Sequence, residues 1–237
     1  MQPKFTDNTL LRATVSKGFN TPNIVARFGD NSFTVANPNL KVEEVTSYQV
    51  GVETTALAPV WLKVSLFRHD VSKELENVPV DSNAIFSTWI NSDKVRHQGV
   101  EADIRTAPMY HISLFGGATF VDSKNLATNL IQTDSPRYTY DVGLKYDNDK
   151  LFKTILQGHY VWWNQTGPQL PPYNGQIYAQ YNAMIFDMSI TKTVFRQKDN
   201  KCDVFFTAHN IFDGSQYDEN FFPNPGRWYE GGVKYKF

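Results

Sequence analysis

The sequence predicts an all-β protein, an antiparallel up-and-down transmembrane β-barrel portion of about ten strands. Three observations lead to this prediction: apolar and polar residues alternate along most of the chain, short connections alternate with long ones, and several strands are long. Aromatic residues make up 14% of a chain that is hydrophilic on average, which fits rings and polar groups interleaved at short range.

The alternation has a period of two residues. In TSYQVGVETT (46–55) and RYTYDVGLKY (137–146), apolar residues recur at every second position, which predicts strands with one apolar and one polar face. No segment has a convincing helical period. The predicted strands are 9–18, 46–55, 60–76, 88–105, 110–120, 137–146, 151–163, 178–195, 202–212 and 229–237. In strand 137–146 we expect Tyr140, Val142 and Leu144 to face outward, and Asp141, Gly143 and Lys145 to face inward.

Two residue types interrupt the alternation. Phe115 falls among the polar positions of its strand. Four glycines also occupy the polar face, where they leave room inside the barrel or relieve the curvature of the sheet; they are Gly51, Gly99, Gly143 and Gly232.

The connections between predicted strands alternate strictly in length. Short ones are 57–60, 105–109, 146–150 and 196–201, and long ones are 19–44, 77–87, 122–136, 164–177 and 213–226. One end of an antiparallel sheet then carries tight turns and the other carries long loops, as in outer-membrane barrels. Several predicted strands exceed the ~9–11 residues of a tilted membrane strand, whereas strands of soluble proteins average ~5–6 residues. A soluble barrel or sandwich is the alternative, because its buried face would also alternate.

Composition excludes several functions. A formal charge of −1 gives no reason to expect a nucleic-acid partner, and Cys202 alone permits neither an internal disulfide nor a cysteine zinc site. No apolar run approaches the ~18 residues of a membrane helix, and the first residues lack the layout of a signal peptide. The histidines lie on different predicted strands without metal spacing, so we expect no metal and no cofactor; they are His69, His97, His111, His159 and His209.

Several segments resemble one family in that family's own order. FNTPN (19–23) and NPNLKVEE (37–44) resemble the paired boxes of TonB-dependent outer-membrane receptors, although Asn20, Thr21 and Val42 depart from the usual residues. Further resemblances lie in TSYQVGVE (46–53), INSDKVRHQGVEADI (90–104), HNIFD (209–213) and PGRWYEGGVKYKF (225–237).

The resemblance implies that residues 1–237 are the C-terminal part of a 22-stranded barrel, without the plug domain. The parent protein would take up a scarce ligand, of the ferric siderophore or cobalamin class, in the outer membrane of a Gram-negative bacterium. Its partners would be outer-membrane lipid, the TonB energy-transducing complex acting through the plug, and the barrel assembly machinery. No histidine lies between the two boxes, which disfavours haem as the ligand. No enzyme activity is expected.

Three groups of site residues follow. The loop anchors are Phe19, Pro22, Asn37, Pro38, Asn39 and Leu40, because Asn-Pro steps stabilise turns. The candidate ligand contacts at the long-loop end are Trp163, Trp228, Tyr173 and Phe221. The residues that resemble a membrane assembly signal are Val233, Tyr235 and Phe237.

The alternatives from other classes are a complete ten-stranded outer-membrane barrel, either a protease similar to the omptins or a porin. The protease would need a His-Asp pair facing one water, but the neighbours His69 and Asp70 point to opposite faces of a strand. If the chain is part of a wider barrel, its sheet should be open, with 9–18 and 226–237 as unpaired edges. A hydrogen-bonded ladder between those two segments would favour the ten-stranded barrel.

Overall fold

The computed structural model describes residues 4–6, 8–29, 33–80, 85–132, 135–148, 152–164, 183–197, 200–219 and 222–237. These residues form long strands and one short helix. In chain order the elements are β1 (Lys4–Thr6), β2 (Thr9–Asn20), α1 (Ile24–Phe28), β3 (Thr34–Val35), β4 (Glu43–Leu57), β5 (Val60–Ser72), β6 (Leu75–Pro79), β7 (Ser87–Asn91), β8 (Val95–Thr106), β9 (Ile112–Asn125), β10 (Ser135–Asp147), β11 (Phe152–Asn164), β12 (Ile185–Gln197), β13 (Asn200–His209), β14 (Tyr217–Glu219), β15 (Phe222–Pro223) and β16 (Trp228–Lys236).

The main sheet is antiparallel and open. Its order is β1-β2-β4-β5-β8-β9-β10-β11-β12-β13-β16, which confirms the predicted up-and-down arrangement. Among the described residues no ladder joins 9–18 to 226–237. One edge was predicted wrongly: β1 pairs with the start of β2, with Lys4 opposite Leu10, so 9–18 is not a free edge along its whole length.

The connections lie as predicted. β4–β5, β8–β9, β10–β11 and β12–β13 join at one end of the sheet, which we call the turn side. The long connections join the other strands at the opposite end, which we call the loop side. In the predicted long connections 164–177 and 213–226, the residues that the structure describes lie on the loop side. Residues 165–177 lie outside the described part of the chain.

The two faces of the sheet differ in chemistry because neighbouring residues of a strand point to opposite sides. On β10, Tyr140 pairs with Tyr160 on an apolar face, and Val142 on that face is 47% exposed. Asp141 lies on the other, polar face, where it contacts His159. The predicted assignment of residues to the two faces of this strand is therefore confirmed.

The apolar face carries aromatic rings at its loop-side border. Phe120, Tyr138 and Trp162 lie side by side on three strands, with ring centroids 5.2 and 5.4 Å apart. Two residues further toward the loops the same face becomes charged, since Leu66 is followed by Arg68 and Phe120 by Asp122. Arg68 and Arg96 both bind Asp70 there. The border between rings and charges is typical of a membrane boundary.

Glycines on the polar face accommodate phenylalanine rings. A Cβ atom at Gly143 would overlap the ring of Phe115, its direct cross-strand partner. The same relation joins two further register pairs, Phe67 with Gly99 and Phe205 with Gly232. Phe115 is therefore an inward-facing ring in a space that its opposite glycine leaves free.

The loop side contains small elements that the sequence did not predict. Asn23 caps α1 by accepting a hydrogen bond from Ala26 N at 2.7 Å, and Gly29 ends the helix at φ 78°. The predicted strands 60–76 and 88–105 are each broken in two. Their outer parts, β6 and β7, pair with each other in a separate sheet, in which β7 also pairs with β3. Among the described residues, no helix is long and apolar enough to cross a membrane.

Candidate ligand-binding site

The connection between β13 and β16, residues 210–227, is tied together by one buried amide. Asn210 is 3% exposed and has a φ of 49°, a left-handed conformation that asparagine tolerates. Its Nδ2 donates to the carbonyl oxygens of Gly214 at 2.8 Å and Pro225 at 3.1 Å, and its Oδ1 accepts from Gly214 N at 2.8 Å. One side chain thus joins both ends of the connection.

Two further contacts fix this connection to the sheet. The backbone N–H of Asn210 donates to Asp187 Oδ1 at 2.8 Å. Gln216 is fully buried; its side-chain nitrogen donates to the carbonyl oxygens of Ala183 and His159, and its oxygen accepts from Val161 N at 2.6 Å. Among the described residues β11 pairs with β12 only as far as His159, and Gln216 bonds to the backbone of β11 at His159 and beyond it at Val161.

A cavity of about 450 Å³ lies on the polar face beside this connection. The strands β9 to β13 and β16 supply its wall, and Asn224 and Pro225 come from the connection. The wall residues that bear on its chemistry are Phe115, Asp141, His159, Asp187, His209 and Trp228.

The cavity brings two imidazoles together with carboxylates. His159 Nδ1 is 2.6 Å from Asp141 Oδ1. His209 Nδ1 is 3.7 Å from Asp187 Oδ1, and its Nε2 is 3.5 Å from Glu230 Oε1. Such pairs can orient a bound polar group and exchange protons with it.

Trp228 forms the aromatic side of the cavity. Its ring stacks on that of His209, its cross-strand neighbour, with centroids 3.8 Å apart and planes inclined by 12°. Trp228 is 45% exposed, so part of the indole is free to contact a ligand. Alternation along β16 places it on the polar face, as the sequence predicts.

Of the other predicted ligand contacts, the structure describes only the backbone of Trp163. The backbone of Trp163 pairs with Pro136 at the loop-side end of β11. Tyr173 and Phe221 lie outside the described residues. As ligand contacts, all four aromatic residues stay predictions.

The predicted loop anchors lie in a separate part of the loop side. Asn37 Nδ2 donates to Trp89 O at 2.9 Å, and its Oδ1 accepts from Asn39 N at 3.2 Å across the Pro38 turn. Leu40 is buried and its carbonyl oxygen accepts from Arg27 Nη2 at 3.1 Å. These contacts fit an anchoring role.

Phe19 and Pro22 surround the exit from β2. Phe19 is exposed and pairs with Glu44, whereas Pro22 is half-buried just before the Asn23 cap of α1. Asn91 was not predicted as an anchor, although its side chain binds the backbone of Lys41 in both directions, at 2.7 and 3.0 Å. The available signal was that Asn91 lies in INSDKVRHQGVEADI (90–104), one of the segments that resemble the receptor family.

The predicted assembly residues lie at the end of the chain, Val233 and Tyr235 on edge strand β16 and Phe237 directly after it. Val233, Tyr235 and Phe237 share the apolar face, where all three are exposed, Phe237 at 90%. The last two rings are 6.3 Å apart. This is the placement expected of a lipid-facing stripe, and their role as a signal stays a prediction.

Four of the five histidines lie on different strands, as predicted, but His111 lies in the turn before β9, with a φ of 67°. The register brings some of the four together. His159 and His209 line one cavity. His69 and His97 are direct cross-strand partners, and each Nδ1 is 2.8 Å from a serine hydroxyl. Aligning the residues that face each other on neighbouring strands would have indicated both pairs. Among the described residues, no group of three or more His, Cys, Asp or Glu side chains is placed to hold a metal ion.

The long strands, the apolar and polar faces and the loops gathered at one end define the wall of an outer-membrane β-barrel. A family model described as TonB dependent receptor-like, beta-barrel matches residues 4–230. The chain belongs to this family, as part of its β-barrel. TonB-dependent receptors are receptors and transporters of the outer membrane and interact with TonB.

Solved structures of the same family share this fold. The copper transporter OprC is 14% identical over 100% of this chain and 39% of its own, with a TM-score of 0.78. The siderophore receptor PirA from Pseudomonas aeruginosa is 17% identical over 99% of this chain and 38% of its own, with a TM-score of 0.69. The FrpB iron transporter from Neisseria meningitidis is 14% identical over 100% and 38%, with a TM-score of 0.68. The chain thus spans about two fifths of the length of these proteins.

Proposed function

We propose that the chain is the C-terminal part of the barrel of a TonB-dependent receptor that imports a scarce ligand of the ferric siderophore or cobalamin class. The observation that carries the proposal is the cavity beside Trp228, on the polar face and at the loop side. A ligand arriving from outside the cell meets the loop side of such a barrel first. The likeness to a siderophore receptor and a copper transporter supports uptake of a metal or its chelate.

Each surface of the sheet has a role in this proposal. The apolar face contacts outer-membrane lipid, and Val233, Tyr235 and Phe237 present the stripe that the assembly machinery reads. The polar face lines the lumen and surrounds the plug of the parent protein. Ligand binding at the loop side is followed by a plug rearrangement that TonB drives from the periplasm.

The ten-stranded alternatives are less consistent with the geometry. A closed porin or protease would need a ladder between 9–18 and 226–237, and the described residues contain none. His69 faces Ser47 on the polar face, whereas Asp70 binds Arg68 and Arg96 on the opposite face. These two neighbours therefore cannot act on one water molecule.

The test is import by cells that produce the whole receptor. Cells with TonB should accumulate a ⁵⁵Fe-labelled siderophore or ⁵⁷Co-labelled cobalamin, and otherwise identical cells without TonB should not. Trp228→Ala should reduce import because it removes an aromatic wall of the cavity. Its matched control is Tyr229→Ala, the next residue of β16, which faces the other side of the sheet. Equal accumulation with and without TonB, for every ligand tested, would refute the proposal.

A further inference from the structure

We propose that the cavity beside Trp228 binds a positively charged part of the ligand, so that the receptor prefers a cationic metal chelate to an anionic one. This inference rests on the proposed function, because it assigns a charge class to the ligand of the same site. It is carried by the charge of the cavity wall and by its aromatic rings.

The charged side chains of the wall are carboxylates. Asp141 and Asp187 line the cavity, and Glu230 lies 3.5 Å from His209, which also lines it. Among the described residues, no lysine or arginine lines the cavity. Lys145, on the same face, is 3.5 Å from the carboxylate of Asp147. A cleft lined by one sign of charge concentrates ions of the opposite sign, and here those ions are cations.

The aromatic wall suits the same kind of ligand. Trp228 and Phe115 both line the cavity. The faces of aromatic rings attract cations, and tryptophan does so most strongly. Carboxylates beside an exposed indole therefore offer a cation both its counter-charge and a surface to lie against.

The cavity suits a chelate better than a bare metal ion. The described residues include no cluster of three or more His, Cys, Asp or Glu side chains placed for a metal ion. The volume of about 450 Å³ is instead in the range of sites for small organic molecules.

The experiment compares two chelates with the same ferric trihydroxamate core and opposite net charge. The first is a linear ferric trihydroxamate with a free ammonium group and a net charge of +1. The second is the same chelate succinylated at that amine, with a net charge of −1. Isothermal titration of the purified whole receptor should give a dissociation constant at least about fivefold lower for the cationic chelate, because two carboxylates act on it at short range.

Variants then locate the preference. Replacing both cavity aspartates, in the double variant Asp141→Asn and Asp187→Asn, should reduce the ratio of the two dissociation constants below about twofold. Asparagine at position 187 keeps an oxygen that can accept from Asn210 N, so the connection can stay in place. The matched control is Glu101→Gln, a carboxylate of the polar face outside the cavity, which should leave the ratio unchanged.

The outcomes separate this inference from the proposed function. The inference is overturned if the two chelates bind equally, if the anionic one binds more tightly, or if the cationic one does not bind. These comparisons use the unmodified receptor, so they do not depend on the folding of a variant. A preference that survives the double aspartate variant overturns it as well. If the cationic preference is present but import does not require TonB, the inference stands and the proposed function fails.

Discussion

The ring of Phe115 covers Gly143, the residue directly opposite it on the neighbouring strand, in space that a β-carbon would otherwise occupy. Phe67 and Gly99 repeat the arrangement, as do Phe205 and Gly232. Each pair half-buries an apolar ring on a face that is mostly polar. The glycine and the phenylalanine are therefore one packing unit, and neither can be changed without consequence for the other.

Replacing Gly143 by alanine should destabilise the barrel by about 1–3 kcal/mol, because the new methyl group forces the Phe115 ring away. Urea unfolding of the whole receptor in lipid vesicles measures the change. The control is Gly117→Ala on the same face, where a β-carbon would lie at an ordinary 3.4 Å from Asp103 Oδ1. The same change is also measured in the Phe115→Ala variant. If Gly143→Ala lowers the free energy of unfolding there by as much as it does in the receptor with Phe115, the two residues are not coupled.

The assignment of the two faces predicts opposite tolerance to charge along β10. Val142→Arg should lower the free energy of unfolding by ~2–4 kcal/mol if Val142 lies at the bilayer midplane, because the guanidinium would enter hydrocarbon. Lys145→Gln, on the polar face, should have a mild effect. The same vesicle unfolding experiment measures both changes. Similar costs at the two positions would contradict a lipid-facing apolar surface.

Asn210→Ala should loosen the connection over residues 210–227. The substitution removes three side-chain hydrogen bonds to Gly214 and Pro225. Asn224 Nδ2 still donates to both carbonyl oxygens, at 3.3 and 2.8 Å, so the main loss is the acceptor of the Gly214 N–H, at about 1–3 kcal/mol. Added protease should then cut this connection faster in intact cells that display the receptor. Asn200→Ala, at an exposed position on the turn side, is the control and should not change the cleavage rate. Unchanged cleavage of the Asn210 variant would mean that other contacts suffice.

The open edges predict that residues 1–237 alone do not form a stable transporter. An unpaired edge in lipid leaves N–H and C=O groups unsatisfied, and each costs several kcal/mol. β16 has such an edge in the described structure. The chain refolded alone in a planar bilayer should give no discrete ion conductance. The whole receptor, as the control, should fold into a closed barrel. Steady unitary conductance from the chain alone would show that it closes by itself.

The strands and their order were predictable because membrane strands alternate over many residues, and a long pattern leaves little freedom of register. The apolar residues of β10, such as Val142, could be assigned to a face from the alternation alone. The breaks between β5 and β6 and between β7 and β8 were not predictable in the same way. Lys73, with a φ of 57°, turns the chain there without a glycine or proline to signal it.

The candidate site was only partly predictable, because it depends on distances across strands rather than along them. Alternation placed Trp228 on the polar face, but it did not show that His209 lies directly opposite or that His159 lines the same cavity. The role of Asn210 was not predictable for another reason, although the residue lies in HNIFD (209–213), one of the segments that resemble the family. Its role arises from a left-handed backbone and three hydrogen bonds inside an irregular connection, which has no periodicity to reveal it.

The change from apolar to charged residues on the outer side of β5 and β9 sets the depth of the protein in the bilayer. Leu66 and Arg68, like Phe120 and Asp122, are two residues apart, which is only ~6.6 Å along a strand. Sinking by that distance would drag the paired Arg68, Asp70 and Arg96 into hydrocarbon, and rising by it would expose the ring layer to water. A membrane of a different thickness must therefore thin or thicken around this wall, because the wall itself has almost no room to slide.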